Sequence, residues 1–181
     1  HRDIKPQNIF VSGKFPFMEI TLADYGLSQH RDYYAFGTSL AGTRGFIDPS
    51  MCIWKLKKKK IQAFSYKDGI KADLFSAGMT LLHIFMEKKP LHKVNTQINQ
   101  IGLPKKNQKL KSENINDLLL SYSRKYKEII PKNASHQTKA ALLKNKFIRL
   151  ITTMVHPDPQ RRPNSAYEVM VGFEQMLKKS S

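Results

Sequence analysis

Cysteine is nearly missing from this chain: Cys52 stands alone among 181 residues. One thiol cannot form an internal disulfide, which excludes a disulfide-stapled secreted scaffold and points to a reducing, intracellular compartment such as the cytoplasm. Long apolar runs are missing too. The longest, Leu74 to Met86, is interrupted by Ser76, Gly78, Thr80 and His83, and it falls short of the roughly 18–20 residues of a membrane span, so a soluble protein is expected. Gly and Pro number only 9 each, too few for a collagen-like or low-complexity chain. Acidic residues are scarce, 14 against 31 Lys and Arg, for a net charge of +17. What is present is 40% hydrophobic and 10% aromatic, enough to bury a core and to exclude a wholly disordered basic tail. The length suits one domain of about 100–200 residues, or one lobe of a larger one. The first residue is His1, and no signal or transit pattern opens the chain, so a piece of a longer product is expected.

The charge is unevenly spread. Residues 1–87 carry 12 basic and 8 acidic groups, 88–146 carry 14 and 3, and 147–181 carry 5 and 3. Ile9-Phe10-Val11 reads as a strand meeting a turn at Ser12-Gly13-Lys14, and the alternation from Met18 to Ala23 reads as a second strand, together a β-hairpin. From Asp24 to about Pro49 no period is sustained, which predicts a long loop of the kind that usually carries function. Asp73 to Met86 is apolar on nearly every side and predicts a helix buried all round at the centre of the domain. Ile115, Leu118, Leu119, Tyr122, Tyr126 and Ile129 predict an amphipathic helix over 115–130, closed by Pro131. Phe147 to Val155 predicts another, stopped by His156-Pro157-Asp158-Pro159. Asn164 or Ser165 can cap a last helix, with Tyr167, Met170, Val171, Phe173, Glu174 and Leu177 on one face. The fold class is therefore α+β, mostly helical, with one short hairpin.

His1-Arg2-Asp3-Ile4-Lys5-Pro6-Gln7-Asn8 has the pattern H-R-D-x-K-x-x-N. Asp24-Tyr25-Gly26 follows, then Gly42-Thr43-Arg44-Gly45-Phe46-Ile47-Asp48-Pro49-Ser50, Asp73-Leu74-Phe75-Ser76-Ala77-Gly78, and Asp158-Pro159-Gln160-Arg161-Arg162-Pro163. These five segments, in this order, resemble the catalytic loop, D-F-G, G-T-x-x-Y-x-A-P-E, D-x-W-S-x-G and D-P-x-x-R-P motifs of eukaryotic-type serine/threonine protein kinases. The resemblance implies the carboxyl-terminal lobe of a kinase domain over 1–179, with the catalytic loop at 1–8, the activation segment at 24–50 and a helical subdomain at 68–179. It also implies a missing amino-terminal lobe upstream, ATP and Mg²⁺ as cofactors, and a protein substrate.

By that resemblance Asp3 accepts or orients the substrate hydroxyl proton, Lys5 lies beside the transferred phosphate, and Asn8 and Asp24 are hard oxygen ligands for Mg²⁺. Lys5 favours serine and threonine over tyrosine substrates. Phe10 matches the position beneath the adenine ring, and Thr43 the residue that bonds the catalytic Asp and Lys. Asp73 would accept backbone N–H bonds from His1 and Arg2. Ser39 matches a common phosphorylation position, whose phosphate Arg2 would pair with.

Three departures stand out. Tyr25 replaces Phe, Ser50 replaces the Glu that usually pairs with the position of Arg162, with Asp48 as the alternative counter-charge, and no small lobe is present. A catalytically silent kinase-like module that binds or scaffolds partners is the rival reading; the retained Asp3, Lys5, Asn8 and Asp24 count against it. His83, His92 and His136 lack ligand spacing and read as ordinary histidines. Lys57 to Lys60 and the Lys105 to Lys111 cluster read as solvated insertions, since no nucleic-acid fold pattern accompanies them.

Overall fold

The computed structural model describes residues 1–30, 40–56, 65–86, 90–102, 115–131 and 138–178. The chain opens with a single 3-10 turn at Pro6–Asn8, then β1 (Ile9–Lys14) and β2 (Phe17–Leu22), an antiparallel pair in which Ile9 faces Leu22 and Lys14 faces Phe17. The turn is not at Ser12-Gly13-Lys14 as predicted. Those residues complete β1, and the reversal falls at Phe15-Pro16, because the fixed φ and missing N–H of proline break a strand more firmly than a permissive glycine does. A second 3-10 turn follows at Tyr25–Leu27.

Six helices follow among the described residues: α1 (Pro49–Leu56), α2 (Tyr66–Phe85), α3 (Pro90–Gly102), α4 (Ile115–Ile129), α5 (Lys139–Met154) and α6 (Ala166–Lys178). α2 is the central helix. It starts seven residues before the predicted Asp73, since Ser65 and Asp68 form a capping box that satisfies two otherwise orphaned amides. From Gly69 to His83 no residue of α2 is exposed. Phe75, Met79 and Leu82 pack with Met51 and Cys52 of α1, Leu91, Val94 and Ile98 of α3, Tyr122 and Ile129 of α4, and Ile151 of α5. Each such large side chain contributes about 1.5–3 kcal/mol when fully buried.

Two sequence expectations need correction. α5 begins well before Phe147, where Thr138 accepts from the Ala141 amide and starts the helix. In α6, Ser165 is the residue whose hydroxyl accepts from the Glu168 amide. The predicted face is turned, however: Tyr167, Met170 and Leu177 are exposed, while Val169 and Phe173 pack on Leu74 and Met154. The neighbouring α5 selects the narrower stripe, because Gly172 lets α6 close onto Leu150.

Candidate active site

The site lies where the chain's first eight residues meet the loop at 40–48 and the middle of α2. Asp73, half-buried on α2, fixes the entry: one carboxylate oxygen accepts from the His1 amine and the other from the Arg2 amide, both at 2.8 Å. Arg2 has φ of +73°, a left-handed conformation that costs a non-glycine residue of order 1–3 kcal/mol and needs such fixing. The His1 ring is held at both nitrogens. Its Nδ1 accepts from the Asp3 amide at 3.3 Å, so Nε2 is the protonated nitrogen, donating to the Ala23 carbonyl at 3.0 Å.

Asp3 is the centre of the arrangement and is only 6% exposed. One carboxylate oxygen accepts from the Thr43 amide at 2.7 Å; the other accepts from Lys5 Nζ at 2.7 Å and from Asn8 Nδ2 at 3.3 Å. Lys5 Nζ also donates to Thr43 Oγ1 at 2.7 Å. Burial alone would push the Asp3 carboxyl up, but the hydrogen bonds from Lys5 and Thr43, with the Lys5 charge, outweigh it and hold the group below its ordinary value. A carboxylate offers about four lone-pair directions, so three donors fix its orientation and leave it able to accept once more.

Asn8 donates through Nδ2 to the Asp3 carbonyl at 2.8 Å, which turns its amide oxygen the other way. Its backbone carbonyl accepts from Ala23 at 2.9 Å, so the base of the hairpin brings Asn8 and Asp24 to neighbouring ends of paired strands. Asp24 is exposed with φ of +62°, one oxygen accepting from the Gly26 amide at 3.4 Å. Two oxygen donors of this hardness, neither committed on all sides, fit Mg²⁺ better than a softer metal. Phe10 is 61% exposed on β1. Ser39 lies outside the described residues, as do the two Lys-rich clusters and His136.

The floor of the site rests on motif residues together with two asparagines of α3 that the sequence reading did not single out. Gly42 has φ of +118°, and a Cβ there would sit 2.6 Å from the Arg2 carbonyl oxygen. On α3, Asn95 donates to the Gly45 and Ile47 carbonyls at 2.9 Å, and Asn99 accepts from the Gly45 amide at 2.7 Å. Asn99 also donates to Ile47 at 3.2 Å and to the buried Cys52 sulfur at 3.3 Å. The Ser76 hydroxyl of α2 donates to the Phe46 carbonyl at 2.8 Å. Phe46, His83 and His92 form a three-ring cluster, with Phe46 5.7 Å from His83 and 4.9 Å from His92 and the two histidines 5.0 Å apart between centroids.

Behind this floor Arg162 pairs with Asp48 and not with Ser50. Both guanidinium NH₂ groups donate to the two Asp48 oxygens, Nη2 to Oδ1 at 3.0 Å. The pair is almost wholly buried, at 3% and 2% exposure. Arg162 also donates from Nε to the His156 carbonyl at 2.8 Å and lies 4.8 Å over the Phe75 ring. Ser50 uses its own amide to bond Asp48 Oδ1 at 2.9 Å.

The sequence profile of the protein kinase domain matches residues 1–179. The chain belongs to the protein kinase domain family. Among its relatives are the serine/threonine-protein kinase par-4 of Caenorhabditis elegans, 32% identical over 51% of this chain and 14% of that protein, and the protein kinase nimA of Emericella nidulans, 24% identical over 80% of this chain and 18% of that protein. A receptor protein-tyrosine kinase of Arabidopsis thaliana is 31% identical over 50% of this chain and 8% of that protein. The chain thus spans less than a fifth of the length of these relatives. No solved structure matches it. No helix among the described residues is long and apolar enough to cross a membrane.

Proposed function

We propose that the protein of which this chain is part is a serine/threonine protein kinase of the cytoplasm, transferring the γ-phosphoryl group of ATP to a hydroxyl of a protein substrate. The observation that carries the reading is the ring of bonds joining Asp3, Lys5, Asn8 and Thr43. A surface turn needs no buried carboxylate held by three donors at once, whereas a group that must orient a hydroxyl does.

In this reading the fourth acceptor direction of Asp3 takes the substrate hydroxyl and draws its proton as the oxygen forms its bond to phosphorus and the bond to the ADP oxygen breaks. Lys5 places its charge beside the transferred group. Thr43 keeps Lys5 and Asp3 in register, and the Lys5 position favours an aliphatic hydroxyl over a phenol. Asn8 and Asp24 would hold Mg²⁺, which when bound neutralises the charge spreading over the phosphates. Phe10, exposed on β1, offers an apolar surface to the base of the nucleotide. Arg2 would pair with a phosphate on Ser39 and so order the activation segment. Asp73 and Arg162 are positioning residues of the scaffold.

The test uses the protein with its upstream sequence restored. Transfer of radiolabel from ATP to a serine or threonine substrate is measured for the natural sequence and for Asp3→Asn, and the variant should lose ~10²- to 10⁴-fold in rate. Equal rates would remove Asp3 from the chemistry. A folded natural protein that binds partners but transfers nothing would favour a silent binding module.

A further inference from the structure

Residues 41–48 belong to no helix or strand, yet 45–48 are buried. Their backbone groups therefore need side chains as partners. α3 supplies two of these, Asn95 and Asn99, which stand one turn apart on the same side of the helix. Asn95 Nδ2 donates to the Gly45 and Ile47 carbonyls, and Asn99 accepts from the Gly45 amide while donating to the Ile47 carbonyl. Both polar backbone groups of Gly45 are thus held by α3, and the Ile47 oxygen has both its lone pairs engaged. Asn95 keeps this geometry at a cost: its Oδ1 is buried and accepts from no described residue. Turning the amide over would serve that oxygen only by breaking both bonds to the segment.

The clamp reaches the reacting groups through Thr43. The Phe46 amide donates to the Thr43 carbonyl at 3.1 Å, closing a turn in which Gly45 is the clamped corner. Thr43 then donates its amide to Asp3 and accepts Lys5 Nζ on Oγ1, both at 2.7 Å. We infer that Asn95 and Asn99 are positioning residues for phosphoryl transfer, fixing the orientation of Asp3 and Lys5 by holding the turn that carries Thr43. The inference rests on the kinase reading above and extends it to side chains of α3. Apolar residues at 95 and 99 would also pack α3 into the core, but they would leave the height of the turn unset. A misplacement of about 1 Å arising far from the chemistry can cost on the order of 10²-fold in rate. Nucleotide binding takes a separate route, since Asn8 and Asp24 are placed by the base of the hairpin.

The experiment uses the protein with its upstream sequence restored. Values of kcat, and of KM for ATP and for a serine peptide, are measured for the natural sequence, Asn95→Leu, Asn99→Ala, Thr43→Ala and the Thr43→Ala, Asn99→Ala double variant. Ile98→Val, a core change on the same helix, is the control, and each rate is taken below the thermal midpoint of its variant. Asn95→Leu and Asn99→Ala should each lose ~10- to 100-fold in kcat with KM for ATP held within about twofold, while Ile98→Val keeps its kcat. Asn99→Ala should cost clearly less kcat when Thr43→Ala is already present, a non-additivity that a loss of folded protein would not produce. Asn95→Ser and Asn99→Ser, whose hydroxyl can still donate one bond, take the place of any larger change that does not fold and should show the same split between kcat and KM. Transfer by the natural protein with kcat unchanged in the asparagine variants, or lowered by the same factor with and without Thr43, overturns the inference and leaves the kinase reading intact. No transfer by the natural protein overturns the kinase reading and this inference with it.

Discussion

Asp48 shows how one residue can take over an electrostatic task from another two positions away. Where the family pattern places a glutamate, Ser50 has no charge to give, and Arg162 would be a buried guanidinium without a counter-ion. Asp48 supplies both oxygens from within the same turn, and Ser50 turns its amide onto that carboxylate. Removing either member of such a pair costs more than removing both, because the desolvation has already been suffered. Asp48→Asn should therefore destabilise the fold by about 3–5 kcal/mol, while Asp48→Asn combined with Arg162→Met should lose clearly less than the sum of the single changes. Denaturant midpoints for the four species check this. Asp3 belongs to the same scale but responds to pH. Its folded carboxyl is held below its ordinary value, so the unfolded chain binds more protons and the stability it contributes is present above the unfolded value and lost as pH falls through the folded one. The roles proposed for Asp3, Lys5, Asn8 and Asp24 were legible in the sequence because motif spacing records chemistry. The Asp48 pairing was open, since only the three-dimensional approach of residues 48 and 162 decides between neighbours.

Elements differ in how plainly they announce themselves. α4 runs Ile115–Ile129, within the predicted 115–130, because its buried residues are apolar and evenly spaced. α3 was missed. Its inward positions are Leu91, Val94, Asn95, Ile98 and Asn99, and two asparagines, both fully buried, break the apolar stripe that periodicity looks for. They are there to bond backbone, not to pack. Losing Asn99 strips the buried Gly45 amide of its acceptor, at a cost of about 1–3 kcal/mol. Gly45 is constrained twice over, by φ of +91° and by the His92 ring. Asn99→Ala and Gly45→Ala should both speed limited proteolysis of the segment 40–48 and lower the thermal midpoint, with the proteolytic effect confined to that segment if the helices stay packed. Tyr122 on α4 behaves in the opposite sense to Asp3. Its phenol is fully buried and donates to the Val155 carbonyl at 3.0 Å, and burial raises its titration well above the ordinary value. The folded chain keeps a proton that the unfolded chain releases, so this contribution is intact below the unfolded value and declines above it.

At the scale of the whole molecule, packing is lopsided. The helical part is closed around α2, whereas the hairpin shows Phe10, Val11, Phe15, Phe17, Met18 and Ile20 all at least half exposed. Two strands cannot bury two faces against one another, and a patch of this kind favours association. The charge of +17 works against it by keeping copies apart, and that repulsion falls away beyond a Debye length of about 10 Å at 0.1 M salt. Residues 1–181 prepared alone should scatter light as monomers at low ionic strength and associate as salt is added, and Phe15→Ser with Phe17→Ser should suppress the association. Loss of association with added salt would mean that the copies meet through charge and not through the hairpin.

The contacts that close the site also set what the chain can tolerate in length. Ser28 donates to the His1 carbonyl at 3.3 Å and Thr43 to the Asp3 carboxylate at 2.7 Å, so the sequence between 28 and 43 runs from one fixed point to another. The entropy of joining two fixed points by a flexible segment grows only with the logarithm of its length, by about 0.6 kcal/mol for each doubling. Both pins land on residues 1–3, where Asp73 of α2 holds the His1 amine and the Arg2 amide, and none of these bonds counts the residues in between. Changes in the length of the sequence between the pins are therefore expected at small thermodynamic expense, which makes that stretch of sequence the cheapest place for natural variation to act beside the reacting groups.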